Sequence, residues 1–132
     1  MHPANVYALK IQDMESIRKI ALGYEKADLA LINGDIVNVN TGELQKNHSV
    51  AIKGEKIAYI GTDIEHTIGP DTKIFDVSGK ILVPGFIDSH AHLCYFGTPD
   101  ELLRFIMVSG TTTIVTELVE LSYTVGYKGI LE

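Results

Sequence analysis

Apolar and polar positions change rhythm three times along the chain. In "QDMESIRKIALG", residues 12–23, Met14, Ile17, Ile20 and Ala21 recur at helical spacing. Acidic residues come early, basic ones late, and Gly23 follows, so the stretch predicts a short amphipathic helix whose charges line a solvated outer face. From Ala27 the period shortens to two. "ADLALINGDIVNVNTGEL" carries Asn33-Gly34 between two β-prone runs, a hairpin signal because both residue types tolerate positive φ. A second hairpin is predicted in "HSVAIKGEKIAYIG", with strands 48–53 and 56–60 about Gly54-Glu55. Strands near 73–77 and 81–83 follow, divided by Ser78-Gly79. Together residues 28–83 predict an antiparallel, sandwich-like meander.

After Pro84-Gly85 the order becomes strand, helix, strand. Residues 86–92 read as a strand. "TPDELLRFIMVSG" offers Thr98 as N-cap, Pro99 at the first helical position, Asp100 and Glu101 in the first turn and Gly110 as the stop. Leu102, Leu103, Phe105, Ile106 and Met107 are the expected buried face. The β-branched run "TTTIV" then predicts a fully buried parallel strand, joined to the first by a crossover. The organisation is therefore a helical lead-in over 1–26, a β-rich portion over 27–83 and a β-α-β portion over 84–132.

Composition narrows the partners. With 132 residues and 45% hydrophobic content a packed core is affordable. A formal charge of −6 with no basic run argues against nucleic acid or an anionic membrane as partner. One cysteine, Cys94, excludes an internal disulfide and fits a reducing compartment. No apolar run approaches the ~20 residues that span a bilayer, and the first ten residues lack the pattern of a signal peptide. A cytoplasmic location is expected.

The chemistry is concentrated in "VPGFIDSHAHL", residues 83–93. On a strand, Asp88, His90 and His92 share one face, while Ile87, Ser89 and Ala91 share the other. Two imidazoles leaving one strand end together can converge on a divalent ion; the bland alternative is two satisfied histidines in a turn. Asp88 would either fix the tautomer of a ligand histidine, the preferred role, or cap nearby backbone groups. Cys94 reads as a small hydrophobe, and His2, His48 and His66, which lack partner spacing, as surface residues.

This block resembles the first-strand signature of the amidohydrolase superfamily of metal-dependent hydrolases. The resemblance extends through "KADLALINGDIVNVNTGEL", "VAIKGEKIAYIG" and "SGTTTIVTE", whose order is most similar to the start of adenine deaminases. It implies an α/β fragment: a portion of an antiparallel β-sandwich, then the first β-α-β unit of a (β/α)8 TIM-like barrel, with strand two at 112–116. It implies His90 and His92 as ligands of a divalent metal (Mn, Fe or Zn), in a site left incomplete by this chain. The implied activity is hydrolytic deamination of adenine to hypoxanthine and ammonia, with a purine base as substrate and a homo-oligomeric state. Other cyclic amidohydrolases, of the dihydroorotase, hydantoinase or amino-sugar deacetylase type, and a non-catalytic β-rich module are the alternatives. Glu120 aligns with the acid of a Pro-His-Glu sequence that follows strand two in adenine deaminases, but Leu118 and Val119 replace the first two members. Its role as a metal or substrate residue is correspondingly weakened. Glu117 reads as a cap or a loop carboxylate. Only 40 residues follow His92, whereas a barrel takes roughly 250 in all. The chain is thus expected to be an N-terminal segment that is inactive by itself.

Overall fold

The computed structural model describes residues 14–95, 97–117 and 119–130. They divide into two compact units, the first ending at Val83 and the second beginning at Pro84.

The first unit opens with a helix over residues 14–21 (α1); positions 12 and 13 of the expected helix lie outside the described residues. Gly23 ends α1 as anticipated, at a φ of 78° that only glycine adopts cheaply, and donates its amide to the Ile20 carbonyl. Ile20 is fully buried among Ala27, Ala51 and Ala58, with Ile17 and Tyr59 packed around it. Three alanines let the helix approach closely, and one isoleucine in that position contributes about 1.5–3 kcal/mol of apolar burial. Met14, expected on the buried face, is exposed instead.

A sheet of five strands follows: β1 (Leu29–Asn38), β2 (Glu43–Lys53), β3 (Lys56–Gly61), β4 (Lys73–Asp76) and β5 (Ile81–Leu82). Its order is β3-β2-β1-β4, with β5 also on β1. β1 to β3 form the antiparallel part, and Gly54-Glu55 makes the anticipated turn. The antiparallel meander needs correction beyond that point, because β4 and β5 both pair with β1 in parallel. The result is one mixed sheet.

Asn33-Gly34 also departs from expectation. β1 runs through it unbroken, and the first turn comes at residues 39–42. A two-residue hairpin of that type needs positive φ at both positions. Asn33 alone takes one, 64°. Its extra residue bulges β1 between the Leu31–Val50 and Gly34–His48 pairs. Long-range partners fix this choice: the Asn33 side chain donates to Asp76 (3.3 Å), its amide to Ser49 Oγ (3.2 Å), and Val77 and Leu82 pack onto Gly34. Asn47, at a φ of 51°, marks the matching bulge in β2, where Asp35 accepts from the Asn47 amide and from Lys46 Nζ.

In the second unit β6 (Phe86–Ala91) is followed by a 3-10 turn (Leu93–Tyr95), helix α2 (Pro99–Val108), β7 (Thr111–Thr116) and helix α3 (Val119–Ile130), which breaks at Gly126. β6 and β7 pair in parallel. Thr98 stands at the N-cap position of α2 and Pro99 starts the helix, but the Thr98 hydroxyl donates to the Glu101 carboxylate (3.0 Å) and makes no bond to a backbone amide of the first turn. The buried face expected on α2 is only partly realised: Leu102 and Ile106 are half-buried, whereas Leu103, Phe105 and Met107 are exposed. β7 likewise mixes half-buried and exposed residues instead of being fully buried. The physical reason is partnering, since β7 has β6 on one edge and no second strand among the described residues.

Candidate metal centre

Local backbone chemistry sets the entry to β6. The Phe86 amide donates to the Gly110 carbonyl (2.9 Å), which ties the first residue of β6 to the end of α2. Gly85 lies so close to Thr112 that a Cβ there would overlap its Oγ1 and Cγ2. Glycine is required here by contact.

Parallel pairing brings the C-terminal ends of β6 and β7 to the same side of the unit. Register shifts twice along the pair. From Asp88–Ile114 to Ala91–Thr116, β6 advances three residues and β7 two. The extra residue falls at Ser89-His90, and such a bulge redirects side chains at a strand end. The Asp88 carboxylate accepts the His90 amide (3.1 Å), taking up a donor near the irregularity. Of the two roles considered for Asp88, the geometry therefore displays backbone capping.

Strict alternation does not carry through to His92, which lies one residue past the end of β6. The two imidazoles nonetheless meet, with ring centroids 4.9 Å apart and planes at 85°. Tyr95 follows, its ring 5.7 Å from that of His92. Facing them is Glu117, whose Oε1 is 3.9 Å from His90 Nδ1. Its position is structural in origin: the Glu117 amide donates to the Ala91 carbonyl (3.2 Å), extending the β6–β7 ladder by one bond. Glu117 is thus a loop carboxylate just past the end of β7, as expected, and its place beside a histidine is what the sequence reading had not found. The signal that could have found it is register, because the residue after β7 lies beside the end of β6.

The imidazole pair fits a divalent ion in donor chemistry. It does not complete a site: among the described residues no group of three or more His, Cys, Asp or Glu is placed to hold an ion. The His90 and Glu117 side chains are 61% and 56% exposed, so the cluster is open to solvent. The side chains of Cys94 and Glu120 lie outside the described residues, although the backbone at 120 belongs to α3 and not to a loop. His2 is also outside them. His48 donates from Nδ1 to the Lys46 carbonyl, a local contact (2.8 Å). His66, expected at the surface, is half-buried: its Nε2 donates to the Ala21 carbonyl at the end of α1 (3.1 Å) and its ring meets Tyr59 edge-on.

The sequence is similar to those of known proteins. It is 35% identical to an adenine deaminase of Cenarchaeum symbiosum over 89% of its own length, and 44% identical to one of Listeria welshimeri over 82%. The chain matches the N-terminal part of adenine deaminases. It spans 19% and 18% of the length of those two deaminases. Among solved structures, it resembles an N-acyl-D-glutamate deacylase of Bordetella bronchiseptica complexed with zinc and a phosphonate inhibitor. There the TM-score is 0.55 and the identity 31%, over 69% of this chain and 18% of the deacylase. No protein-family model matches. The chain itself is a sheet-rich α/β segment. No helix among the described residues is long and apolar enough to cross a membrane.

Proposed function

We propose that this chain is the N-terminal segment of an adenine deaminase, in which residues 84–130 form the first β-α-β unit of a (β/α)8 barrel and residues 27–83 part of an accompanying β-domain. His90 and His92 are then two protein ligands of a divalent metal of the Mn, Fe or Zn class. The observation that carries this reading is the meeting of the two imidazoles, 4.9 Å apart, where β6 and β7 end side by side. Active sites of parallel α/β barrels are built at that end of the strands. The solved deacylase complexed with zinc supports a divalent ion.

Each residue has a part. His90 and His92 supply neutral imidazole nitrogens, and Asp88 holds the His90 backbone. An ion held there would supply activation of water at neutral pH, the requirement for hydrolytic loss of an exocyclic amine as ammonia. Further ligands and the groups that recognise the purine come from outside this segment, so the 132-residue chain alone does not turn over adenine. Apolar side chains exposed on α2 and β7 support cover by additional strands and helices, and assembly of the whole enzyme as a cytoplasmic homo-oligomer belongs to the same proposal.

The test is formation of hypoxanthine from adenine by a polypeptide that carries this segment through the full length of its relatives. Turnover that requires added Mn²⁺, Fe²⁺ or Zn²⁺ and disappears in His90→Ala and His92→Ala is expected. Undiminished turnover in both variants would overturn the assignment. Hydrolysis of an N-acyl amino acid by the same polypeptide, with adenine untouched, would favour a second reading, to which the 31% identity with the deacylase points.

A further inference from the structure

Glu117 has no part in that reading, yet it is the carboxylate that faces the His90 ring. Among the described residues no other ion-pair contact to His90 occurs within 4.0 Å. Asp88, nearer in sequence, directs its carboxylate to the His90 amide. We propose that Glu117 is a positioning residue that selects the His90 tautomer protonated on Nδ1, leaving Nε2 unprotonated toward an ion; this rests on the metal-site reading above.

A neutral imidazole has one N–H, on either nitrogen, and an ionised carboxylate can only accept. The nitrogen that faces Glu117 is Nδ1, so the carboxylate stabilises the form with the proton there. Nε2, across the ring, keeps its lone pair. Metal-binding histidines commonly present one nitrogen to the ion and donate from the other to a carboxylate or carbonyl. The 3.9 Å separation is longer than a formed hydrogen bond. A side-chain adjustment of about 1 Å, or one bridging water, closes it. Exposure of both side chains leaves room for either. The carboxylate is held near by main-chain geometry, because the Glu117 amide is bonded to Ala91, the residue after His90.

The experiment uses the 132-residue chain labelled with ¹⁵N. Ring nitrogen chemical shifts report which nitrogen of neutral His90 carries the proton. The wild type is expected to show Nδ1–H predominating at His90, Glu117→Ala to lose that preference, and Glu117→Gln, which keeps the shape but not the charge, to fall between them. Backbone spectra check that each variant is folded, and Glu117→Gln serves if Glu117→Ala is not. Zinc titration of the same proteins is expected to show affinity lower by roughly 10–100-fold in Glu117→Ala. His90→Ala and His92→Ala separate the two ideas: zinc binding unchanged in both would overturn the metal reading. An Nδ1–H population at His90 that is the same in wild type, Glu117→Ala and Glu117→Gln would overturn the role of Glu117, whichever way zinc binding falls.

Discussion

The side chain of Thr112 covers the α-carbon of Gly85, so the turn entering β6 and the second residue of β7 are interlocked. This contact lies where the register of the pair first shifts, between Phe86–Thr111 and Ile87–Thr113. The Pro84-Gly85 pair is thus a packing requirement of the β6–β7 unit as well as a chain turn. Gly85→Ala is expected to destabilise that unit by about 1–3 kcal/mol, the usual range for overpacking. Amide exchange of Ile87 and Ile114 should accelerate accordingly. Adding Thr112→Ala removes the two nearest atoms and should recover part of the loss. Equal protection in Gly85→Ala and wild type would show that the contact relaxes freely.

Ile20 is the only large aliphatic side chain with no exposure among the described residues, and it is held by alanines that cannot move in to replace it. Ile20→Ala should therefore cost about 2–5 kcal/mol. Helix α1 is expected to detach, read as loss of amide protection at Tyr24, whose amide bonds to the Lys19 carbonyl, before the sheet itself melts. A change in urea midpoint worth less than about 1 kcal/mol would mean that α1 contributes little to the unit.

Features governed by neighbours in sequence were legible before the structure. Thr98, Pro99 and Gly110 delimit α2 because capping is a matter of a few adjacent residues. The parallel pairing of β6 with β7 followed from a helix long enough to cross over between them. Asn33-Gly34 misled for the opposite reason. A left-handed asparagine suits a hairpin or a bulge equally, and what decides is pairing with Asp76 and Ser49, residues far along the chain. His90 and His92 could be picked out by spacing, but not the bulge at Ser89-His90 or the arrival of Glu117, which depend on register between strands.

Asp88→Ala removes the acceptor of the His90 amide at the bulge. The loss of one such bond, about 0.5–1.5 kcal/mol, is small for the fold and larger for the ring pair. The expected result is a folded protein in which magnetisation transfer between the His90 and His92 rings weakens and zinc affinity falls. Asp88→Asn retains an acceptor oxygen and should keep most of both. If Asp88→Ala leaves the ring contact intact, the bulge is maintained by the β6–β7 ladder alone.

Three carboxylates in the first unit make its stability sensitive to acid. Hydrogen bonding to Lys53, then to the Gly54 amide, holds Asp28 below its ordinary value of 3.8. Lys46 and the Asn47 amide do the same for Asp35. For Asp76 the cause is the Ser78 hydroxyl, followed by the Ser78 amide. A depressed folded-state pKa means that the unfolded chain binds more protons in the window between the two values. The stabilisation is thus present above 3.8 and disappears as pH falls through the lower folded-state values. Asp28 and Asp35 also pair with lysines at 2.6 Å on the surface, so added salt should weaken their contribution. Urea midpoints followed from neutral pH to about pH 3 are expected to fall. The fall should be shallower in Asp35→Asn, which cannot take up that proton, and shallower still in Asp28→Asn/Asp35→Asn. An acid limb of the same slope in wild type and the double variant would assign the sensitivity to carboxylates other than these.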